Sequence, residues 1–330
     1  YHDRGLTPEK IMRAIIHRLS GAYALVIMIA DHPGMLMAAR KSSPLAIGFG
    51  NNAMFVGSDA LALAPMTRRI SYLEDGDWTI INRDSLTIYN SKHVQVERPI
   101  NLTEVSGALI GKGKYRHFMD KEIHEQPEVI GYTLSAFYDP NSNYMKMPKV
   151  AFNPGLLPKL TIVAAGTSYY AGMIAKYWLE GLARLPVEVD IASEFRYRNS
   201  VLPDGGAALF ISQSGESLDT LMALRHAREQ GQHIISLINV DESTIARESD
   251  VVLKTLAGPE ISVASTKAYT TQLAVLLCLS VDWAQKRNFL DRTKAFEIMD
   301  ELSRLPTALA EVLADKERWN ACAHELAGAR

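Results

Sequence analysis

Three short turns rich in hydroxyl side chains are the segments of this sequence whose residue types best suit the binding of an anion. In chain order they are the first turn, Gly166-Thr167-Ser168, the second turn, Ser212-Gln213-Ser214-Gly215-Glu216-Ser217, and the third turn, Ser262-Val263-Ala264-Ser265-Thr266. Each of the first two follows an apolar run that predicts a buried strand and precedes a predicted helix, so free backbone N–H groups and the helix dipole attract negative charge there. Hydroxyls add donors, and glycine allows the backbone to approach a ligand closely. The three turns therefore predict a site for a phosphate monoester, with Gln213 available to sugar hydroxyls.

Each turn also has a purely structural interpretation, since Ser and Thr commonly cap helices. Capping alone accounts well for Thr167-Ser168 and for Ser265-Thr266. It accounts less well for the second turn, where several polar side chains and a glycine directly follow a predicted buried strand. Neither a P-loop lysine pattern nor the spaced glycines of a dinucleotide site occurs in the turns, which favours a small phosphorylated metabolite over a nucleotide.

The elements that position these turns are predicted to form a doubly wound α/β domain with a parallel sheet. Apolar runs without polar alternation are separated by helical segments; the runs are Leu160–Ala165, Ala207–Ser212, His233–Val240 and Val251–Leu256. Such strands belong to a parallel sheet that helices cover on both faces. Ligands of these sheets bind beyond the carboxyl ends of the strands, where the first two turns lie.

The preceding part of the chain has a different pattern. A helix is expected after Thr7, and short strands with hairpin-length turns follow from Tyr23 to Tyr89. This pattern predicts the closing part of an antiparallel, layered α+β domain. Residues 91–150 are less regular and predict a linker that packs on its neighbours. It contains a helix within His117–Gly131, which Pro127 should interrupt or kink.

Composition excludes several classes of function. The 330 residues carry a formal net charge of −2, with 47% hydrophobic and 22% charged residues, so neither nucleic acid nor an anionic membrane surface is an expected partner. The two cysteines, Cys278 and Cys322, make neither a disulfide framework nor a zinc site, and no metal or cofactor is expected. No apolar run approaches the roughly 20 residues that cross a bilayer, and a cytoplasmic location is expected.

Charged residues near the turns are interpreted as structural. Glu194, Arg196 and Arg198 are expected to form ion pairs that organise packing. Lys267 is expected to be solvated or salt-bridged, with assistance to an anion site as the alternative. Glu216 lies at the opening of its helix, where a carboxylate complements the dipole.

The sequence also resembles a known family. The signature turns of sugar-isomerase (SIS) domains resemble three of its segments, Ala165–Ser168, Ser212–Ser217 and Val263–Ala268. A narrower resemblance to the family of glutamine–fructose-6-phosphate aminotransferases, or glucosamine-6-phosphate synthases, is carried by Tyr115–Met119, Lys121–Pro127 and Ile191–Arg198. The end of that family's glutaminase domain is similar to Leu19–Ala24 and Ser43–Gly48. The combination covers essentially the whole chain and is more specific than the SIS turns alone.

The resemblance implies a reaction and a set of ligand-binding residues. The family converts D-fructose 6-phosphate and L-glutamine into D-glucosamine 6-phosphate and L-glutamate. By motif, the sugar phosphate would be bound by Gly166, Thr167, Ser168, Ser212, Gln213, Ser214, Ser217, Val263, Ala264 and Ser265. Val263 would act through its backbone, and Ser217 stands where the motif usually has Thr. Ala165 stands where the motif often has Cys, which excludes a thiol role. A homodimer through the SIS domains and glutamine bound by the glutaminase part are also implied.

Domain boundaries follow from the same resemblance. Residues 1–90 would be the C-terminal part of the glutaminase domain, 91–150 the linker, 151–290 the first SIS domain and 291–330 a helical connection towards a second SIS domain. The family's nucleophilic Cys and its isomerase Glu, His and Lys are expected outside this chain, since residue 1 is Tyr and no Cys precedes Cys278. The chain alone is therefore expected to be inactive, while binding the sugar phosphate weakly.

Two other functions are compatible with the SIS-like turns. A non-catalytic phosphosugar sensor would be favoured by a DNA-binding helix-turn-helix, and none is recognisable before residue 150. A stand-alone sugar-phosphate isomerase or deaminase would leave residues 1–90 without a role. The strand-rich first part therefore favours the aminotransferase.

Overall fold

The chain divides into two compact units, Tyr1–Gly111 and Lys112–Arg330. The computed structural model describes residues 5–103 and 111–329. Within these residues, no helix combines the length and the apolar character that crossing a bilayer requires.

The first unit contains two antiparallel sheets and short helices. Its described strands are β1 (Tyr23–Met28), β2 (Leu36–Lys41), β3 (Ala46–Phe49), β4 (Met54–Gly57), β5 (Arg69–Tyr72), β6 (Trp78–Ile81), β7 (Leu86–Tyr89), β8 (Gln95–Val96) and β9 (Asn101–Leu102). They form sheets with the orders β1-β2-β6-β7-β8 and β4-β3-β5-β9. The helices are α1 (Pro8–Ile16), which begins after Thr7, and α2 (Ala60–Leu63).

The first unit is layered in the order helix, sheet, sheet, helix. Alternation along β2 turns Met37 towards α1, together with Trp78, while Ala38 points to the second sheet and packs near Ile47. On its other face the second sheet packs against α2 through Ile70. This is the antiparallel, layered α+β arrangement that the strand pattern predicts.

The second unit is built on a parallel sheet. Its described helices are α3 (Phe118–Phe137), α4 (Gly166–Ala183), α5 (Ala192–Phe195), α6 (Leu218–Glu229), α7 (Thr244–Arg247), α8 (Lys267–Lys286), α9 (Arg292–Ala314) and α10 (Lys316–Leu326). A small hairpin, β10 (Tyr138–Asp139) and β11 (Tyr144–Met145), precedes the strands of the sheet, which are β12 (Leu160–Ala164), β13 (Val187–Ile191), β14 (Ala207–Ser212), β15 (His233–Ile238) and β16 (Val251–Lys254). All strands of the sheet are parallel, and their order is β13-β12-β14-β15-β16.

Helices cover both faces of this sheet, as the continuous apolar runs predict. Ile162 and Leu209 face the larger core, which includes residues of α3, α4, α8 and α9. The neighbouring Val163 and Phe210 face the smaller core with α5, α6 and α7. The predicted doubly wound α/β architecture is confirmed for this unit.

Helix α3 runs through Pro127, where the sequence predicts an interruption or a kink. Proline lacks the N–H that would bond to the carbonyl of Ile123, four residues earlier. The side-chain amide of Gln126 donates to that carbonyl at 3.0 Å. Burial of Ile130 and Leu134 in the larger core holds the second half of the helix in place. The predicted interruption is therefore wrong, and the kink named with it stays a prediction.

Residues 91–150, expected as a single linker, contribute elements to both units. β8 and β9 are edge strands of the two sheets of the first unit. α3 packs against α8 and α9 in the second unit and supplies part of its larger core. Apolar residues of this segment that precede residue 111 thus pack within the first unit, and those that follow it pack within the second.

Candidate functional site

The first and second turns lie side by side at the carboxyl edge of the parallel sheet. β12 pairs with β13 on one side and with β14 on the other, so the winding direction of the sheet reverses between β12 and β14. Ala164 is the register partner of Ile211, which brings the ends of these two strands level with each other. The crevice beyond such a reversal is where ligands of doubly wound sheets bind.

Helix α4 begins in the first turn without a side-chain cap. Its N-cap residue is Ala165, and Gly166 adopts φ +57°, a left-handed conformation that favours glycine. Thr167 and Ser168 are half-buried in the first turn of the helix. The capping interpretation of Thr167-Ser168 is therefore not supported, and the N–H groups at this helix start face no capping side chain.

The second turn is held in shape by its own hydroxyls. Ser212 is 4% exposed, and its Oγ accepts a hydrogen bond from the N–H of Gly215 at 3.1 Å. The Oγ of Ser214 accepts from the N–H of Glu216 at 3.2 Å, and Ser217 Oγ lies 3.5 Å from Ser212 Oγ. Ser217 is the N-cap residue of α6, yet its side chain makes no capping bond and is exposed. Its hydroxyl is therefore placed where a ligand can reach it.

Glycine is required at position 215 by both conformation and space. Its φ is +66°, and a Cβ at this position would lie 2.0 Å from Ser243 Oγ. The close approach brings the second turn against the start of α7, where the carboxylate of Glu216 accepts from the N–H of Thr244 at 2.7 Å. Glu216 thus anchors the turn to α7.

The third turn differs because a carboxylate of the chain already occupies the start of its helix. Glu260 accepts from the N–H groups of Thr266 at 2.9 Å and Ala268 at 3.0 Å, and from Ser265 Oγ at 2.9 Å. The dipole of α8 is therefore complemented within the chain. No side chain of the described residues caps α4 or α6, so the N–H groups at the starts of these two helices are available to an anion.

One hydrogen bond joins α8 to the first turn. Gln272, which is 2% exposed, donates from Nε2 to Ser168 Oγ at 3.1 Å, while its Oε1 is buried without a hydrogen-bond partner. Gln272 is not among the site residues predicted from the sequence. The available signal was weak, since Gln272 is one of several polar residues on the buried face of α8, together with Thr271, Ser280 and Asp282. At the tip of the third turn, Val263 is fully exposed and Ala264 is exposed as well.

Two of the charged residues around the turns, Lys267 and Arg198, make the expected structural pairs. Lys267 is 3% exposed and forms a salt bridge with Glu125 of α3 at 2.7 Å, which confirms the expected salt-bridged role. Arg198 pairs with Glu188 and Asp190. Although burial opposes it, hydrogen bonding from Lys159 and Arg198 holds the pKa of Glu188 below its ordinary value.

Arg196, expected in an ion pair, instead lies over the ring of Tyr197, with its guanidinium carbon 4.5 Å from the ring centroid. Its guanidinium also donates to the Tyr197 hydroxyl. The arrangement fits a cation–π contact rather than an anion site.

Comparison with known proteins relates the part of the chain that contains the three turns to a known family. Residues 158–281, which contain the parallel sheet and all three turns, match the family model of the SIS domain. This segment is a SIS domain. The resemblance of this part of the chain to SIS domains is thereby confirmed.

Similarity extends beyond the SIS domain to the whole chain. The chain is 49% identical over 330 residues to a glutamine–fructose-6-phosphate aminotransferase (isomerizing) of Gluconobacter oxydans, covering 100% of this chain and 54% of that protein. It is 47% identical over 326 residues to the aminotransferase of the same name from Zymomonas mobilis, covering 99% of this chain and 54% of the relative. The chain therefore spans about half the length of the curated relatives it matches, and its recognition as a relative of these aminotransferases is confirmed.

A solved structure shares the SIS fold at substantial identity. It is the C-terminal domain of glucosamine-fructose-6-phosphate aminotransferase from Francisella tularensis, with 41% identity and a TM-score of 0.57. The match covers 60% of this chain and 56% of that one. Sequence and fold thus point to the same relatives.

Proposed function

We propose that this chain is part of an aminotransferase that converts D-fructose 6-phosphate and L-glutamine into D-glucosamine 6-phosphate and L-glutamate, a reaction of amino-sugar biosynthesis, and that its SIS domain binds the sugar phosphate. The observation that carries the proposal is the pair of hydroxyl-rich turns at the winding reversal of the sheet, each at a helix start without a side-chain cap. The similarity to aminotransferases along the whole chain supports this function over a phosphosugar sensor or a stand-alone isomerase.

The phosphate is assigned to the starts of α4 and α6. Thr167 and Ser217 supply hydroxyl donors there, together with the backbone N–H groups around Gly166 and Ser214. Ser212 is the buried base of the second turn and fixes the backbone that would surround the phosphate. Ser168 accepts from Gln272, which leaves its own O–H proton to donate to a ligand oxygen.

The sugar is assigned to the space between the second and third turns. Gln213 offers an amide that both donates and accepts, which suits a sugar hydroxyl. Ser265 donates to Glu260, so its oxygen keeps lone pairs that can accept from a sugar hydroxyl. The exposed tip, Val263 and Ala264, would contact the sugar through its backbone. The role of these residues is to bind and orient, so that a bound ketose phosphate is held at both ends.

The remaining assignments are extensions of the same proposal. Residues 1–90 would be the C-terminal part of a glutaminase domain, and the helix–sheet–sheet–helix order of the first unit supports this. Residues 151–290 would be a first SIS domain and 291–330 a connection towards a second one. Glutamine bound by the glutaminase domain, a homodimer and a cytoplasmic location are proposed on the family relationship. No metal or cofactor is part of the proposed reaction.

Calorimetric titration of the 330-residue chain tests the phosphate assignment. Fructose 6-phosphate and glucosamine 6-phosphate are both expected to bind, and Ser217→Ala is expected to weaken both about tenfold, because it removes a donor to a charged group. Ser135→Ala, an exposed serine on α3, serves as the matched control and should leave affinity unchanged. Failure of the unsubstituted chain to bind either ligand would contradict the proposal, and equal losses in the two variants would contradict the placement of the site.

A further inference from the structure

The loop that carries the third turn is fastened by a buried carboxylate from α3. Glu122, 2% exposed, accepts from the N–H of Ile261 at 2.6 Å and from the N–H of Ser262 at 3.2 Å through one carboxylate oxygen. The other oxygen accepts from the Ser262 hydroxyl and, at 3.3 Å, from the same N–H. Three donors from two adjacent residues therefore converge on one side chain that lies about 140 positions earlier in the chain.

The other end of the loop is held by different carboxylates. Glu260 bonds to the N–H groups of Thr266 and Ala268, and Glu125 of α3 pairs with Lys267. Between these two fixed ends, the side chains of Val263 and Ala264 are exposed and bury little surface of their own. The conformation of the tip is therefore set by hydrogen bonds rather than by packing, namely those at its two ends and the one that the Ser262 hydroxyl can make at 3.0 Å to the carbonyl of Ala264.

We propose that Glu122 is a positioning residue for sugar recognition: it fixes the backbone at Ile261 and Ser262 so that Val263–Ser265 are presented to the sugar. This rests on the proposed function, because it assigns a role within the same site. Glu122 itself contacts the loop and acts through Ser262. Bonds to a charged acceptor are about twice as strong as neutral ones, so a carboxylate at this position holds the loop more firmly than an amide would.

A specific split in ligand affinity follows from this role. The phosphate is assigned to the starts of α4 and α6, which are held by Ser212 and by the strands of the sheet. Loosening the third turn should therefore weaken binding of a sugar phosphate while leaving inorganic phosphate bound as before. Loss of stability in the whole unit would instead weaken both ligands together.

The experiment compares Glu122→Gln and Glu122→Ala with the unsubstituted chain and with Glu128→Gln, which alters an exposed carboxylate on the same helix. Affinity for fructose 6-phosphate is expected to fall about tenfold in Glu122→Ala and less in Glu122→Gln, and affinity for inorganic phosphate should change less than about twofold. Hydrogen exchange at the amides of Ile261 and Ser262 should accelerate about tenfold in Glu122→Ala, with no change in Glu128→Gln. The glutamine variant preserves side-chain volume and keeps the test available if the alanine variant does not fold.

The outcomes separate the two proposals. Unchanged exchange at Ile261 and Ser262, unchanged fructose 6-phosphate affinity, or equal losses for both ligands in the Glu122 variants would overturn the role of Glu122 while the proposed function stands. Absence of fructose 6-phosphate binding by the unsubstituted chain would overturn the proposed function and, with it, the sugar-positioning role. Accelerated exchange together with a selective loss of the sugar phosphate supports the positioning role.

Discussion

At the scale of single residues, the bond from Gln272 to Ser168 decides how the serine hydroxyl can act. Because Ser168 Oγ already accepts a hydrogen bond, its proton is free to be donated outwards. The buried Oε1 of Gln272 has no partner, which is costly unless the side chain has another use. The pair therefore resembles a ligand-binding arrangement more than a stabilising one.

Replacing Gln272 by Leu should reveal this difference. Affinity for fructose 6-phosphate is expected to fall about three- to tenfold, as for the loss of one hydrogen bond. The free energy of unfolding should change little, because the substitution removes an unpartnered buried carbonyl together with the bond. Titration and urea unfolding measure the two quantities. Gln285→Leu, about 20 Å further along the same helix, is the control, and a similar loss of affinity there would refute the interpretation.

The hydroxyl-rich turns could be predicted from the sequence, but the residues that hold them in place could not. Thr167, Ser214 and Ser217 follow predicted strands directly, so their placement follows from local pattern. Glu122 and Gln272 contact the site from about 140 and 100 positions away in the chain. A single sequence contains no signal for such pairs, because hydrogen bonds between distant positions depend on the complete packing of the helices.

At the scale of secondary structure, the strand ends were predictable where the strands are buried on both faces. β12 and β14 lie almost as predicted, ending at Ala164 and Ser212. β13, Val187–Ile191, was not predicted, because its residues alternate between apolar and acidic. It is an edge strand, and its carboxylates, Glu188 and Asp190, pair with basic residues. An edge position permits polar residues that a central strand would exclude.

The junction between the second turn and α7 gives a prediction at this scale. Gly215→Ala should destabilise the second unit by about 2 kcal/mol or more, because it combines a left-handed backbone conformation with a Cβ that meets Ser243. Gly231→Ala is the matched control, since Gly231 also has positive φ (+73°) but open space around the Cβ position. It should cost about 1 kcal/mol. Equal losses in the two variants, measured by urea unfolding, would mean that the contact with Ser243 is unimportant.

At the scale of the whole molecule, each of the two units has hydrophobic cores made from its own residues. The larger and smaller cores of the second unit are formed by residues between 130 and 302 in the sequence, and the first unit has separate clusters. A compact region with its own core is expected to fold independently.

Residues 112–330 produced alone should therefore bind fructose 6-phosphate with an affinity within about twofold of the 330-residue chain. All three turns and α3 lie within this segment. Calorimetry on both proteins, with circular dichroism to confirm folding, makes the comparison. A shorter protein that folds but has lost most of its affinity would show that the first unit contributes to the site.

The hydrogen bond from Gln126 to the carbonyl of Ile123 has a consequence for how this helix can change through successive substitutions. Pro127 creates a vacant acceptor, and Gln126 fills it, so the two positions are not independent. Loss of Gln126 while proline is present leaves the acceptor without its donor in a helix whose preceding turn contains Glu122. Once position 127 has regained a backbone N–H, position 126 is free to vary. Substitutions at these two positions that leave the stability of α3 unchanged therefore have a preferred order, in which position 127 changes before position 126.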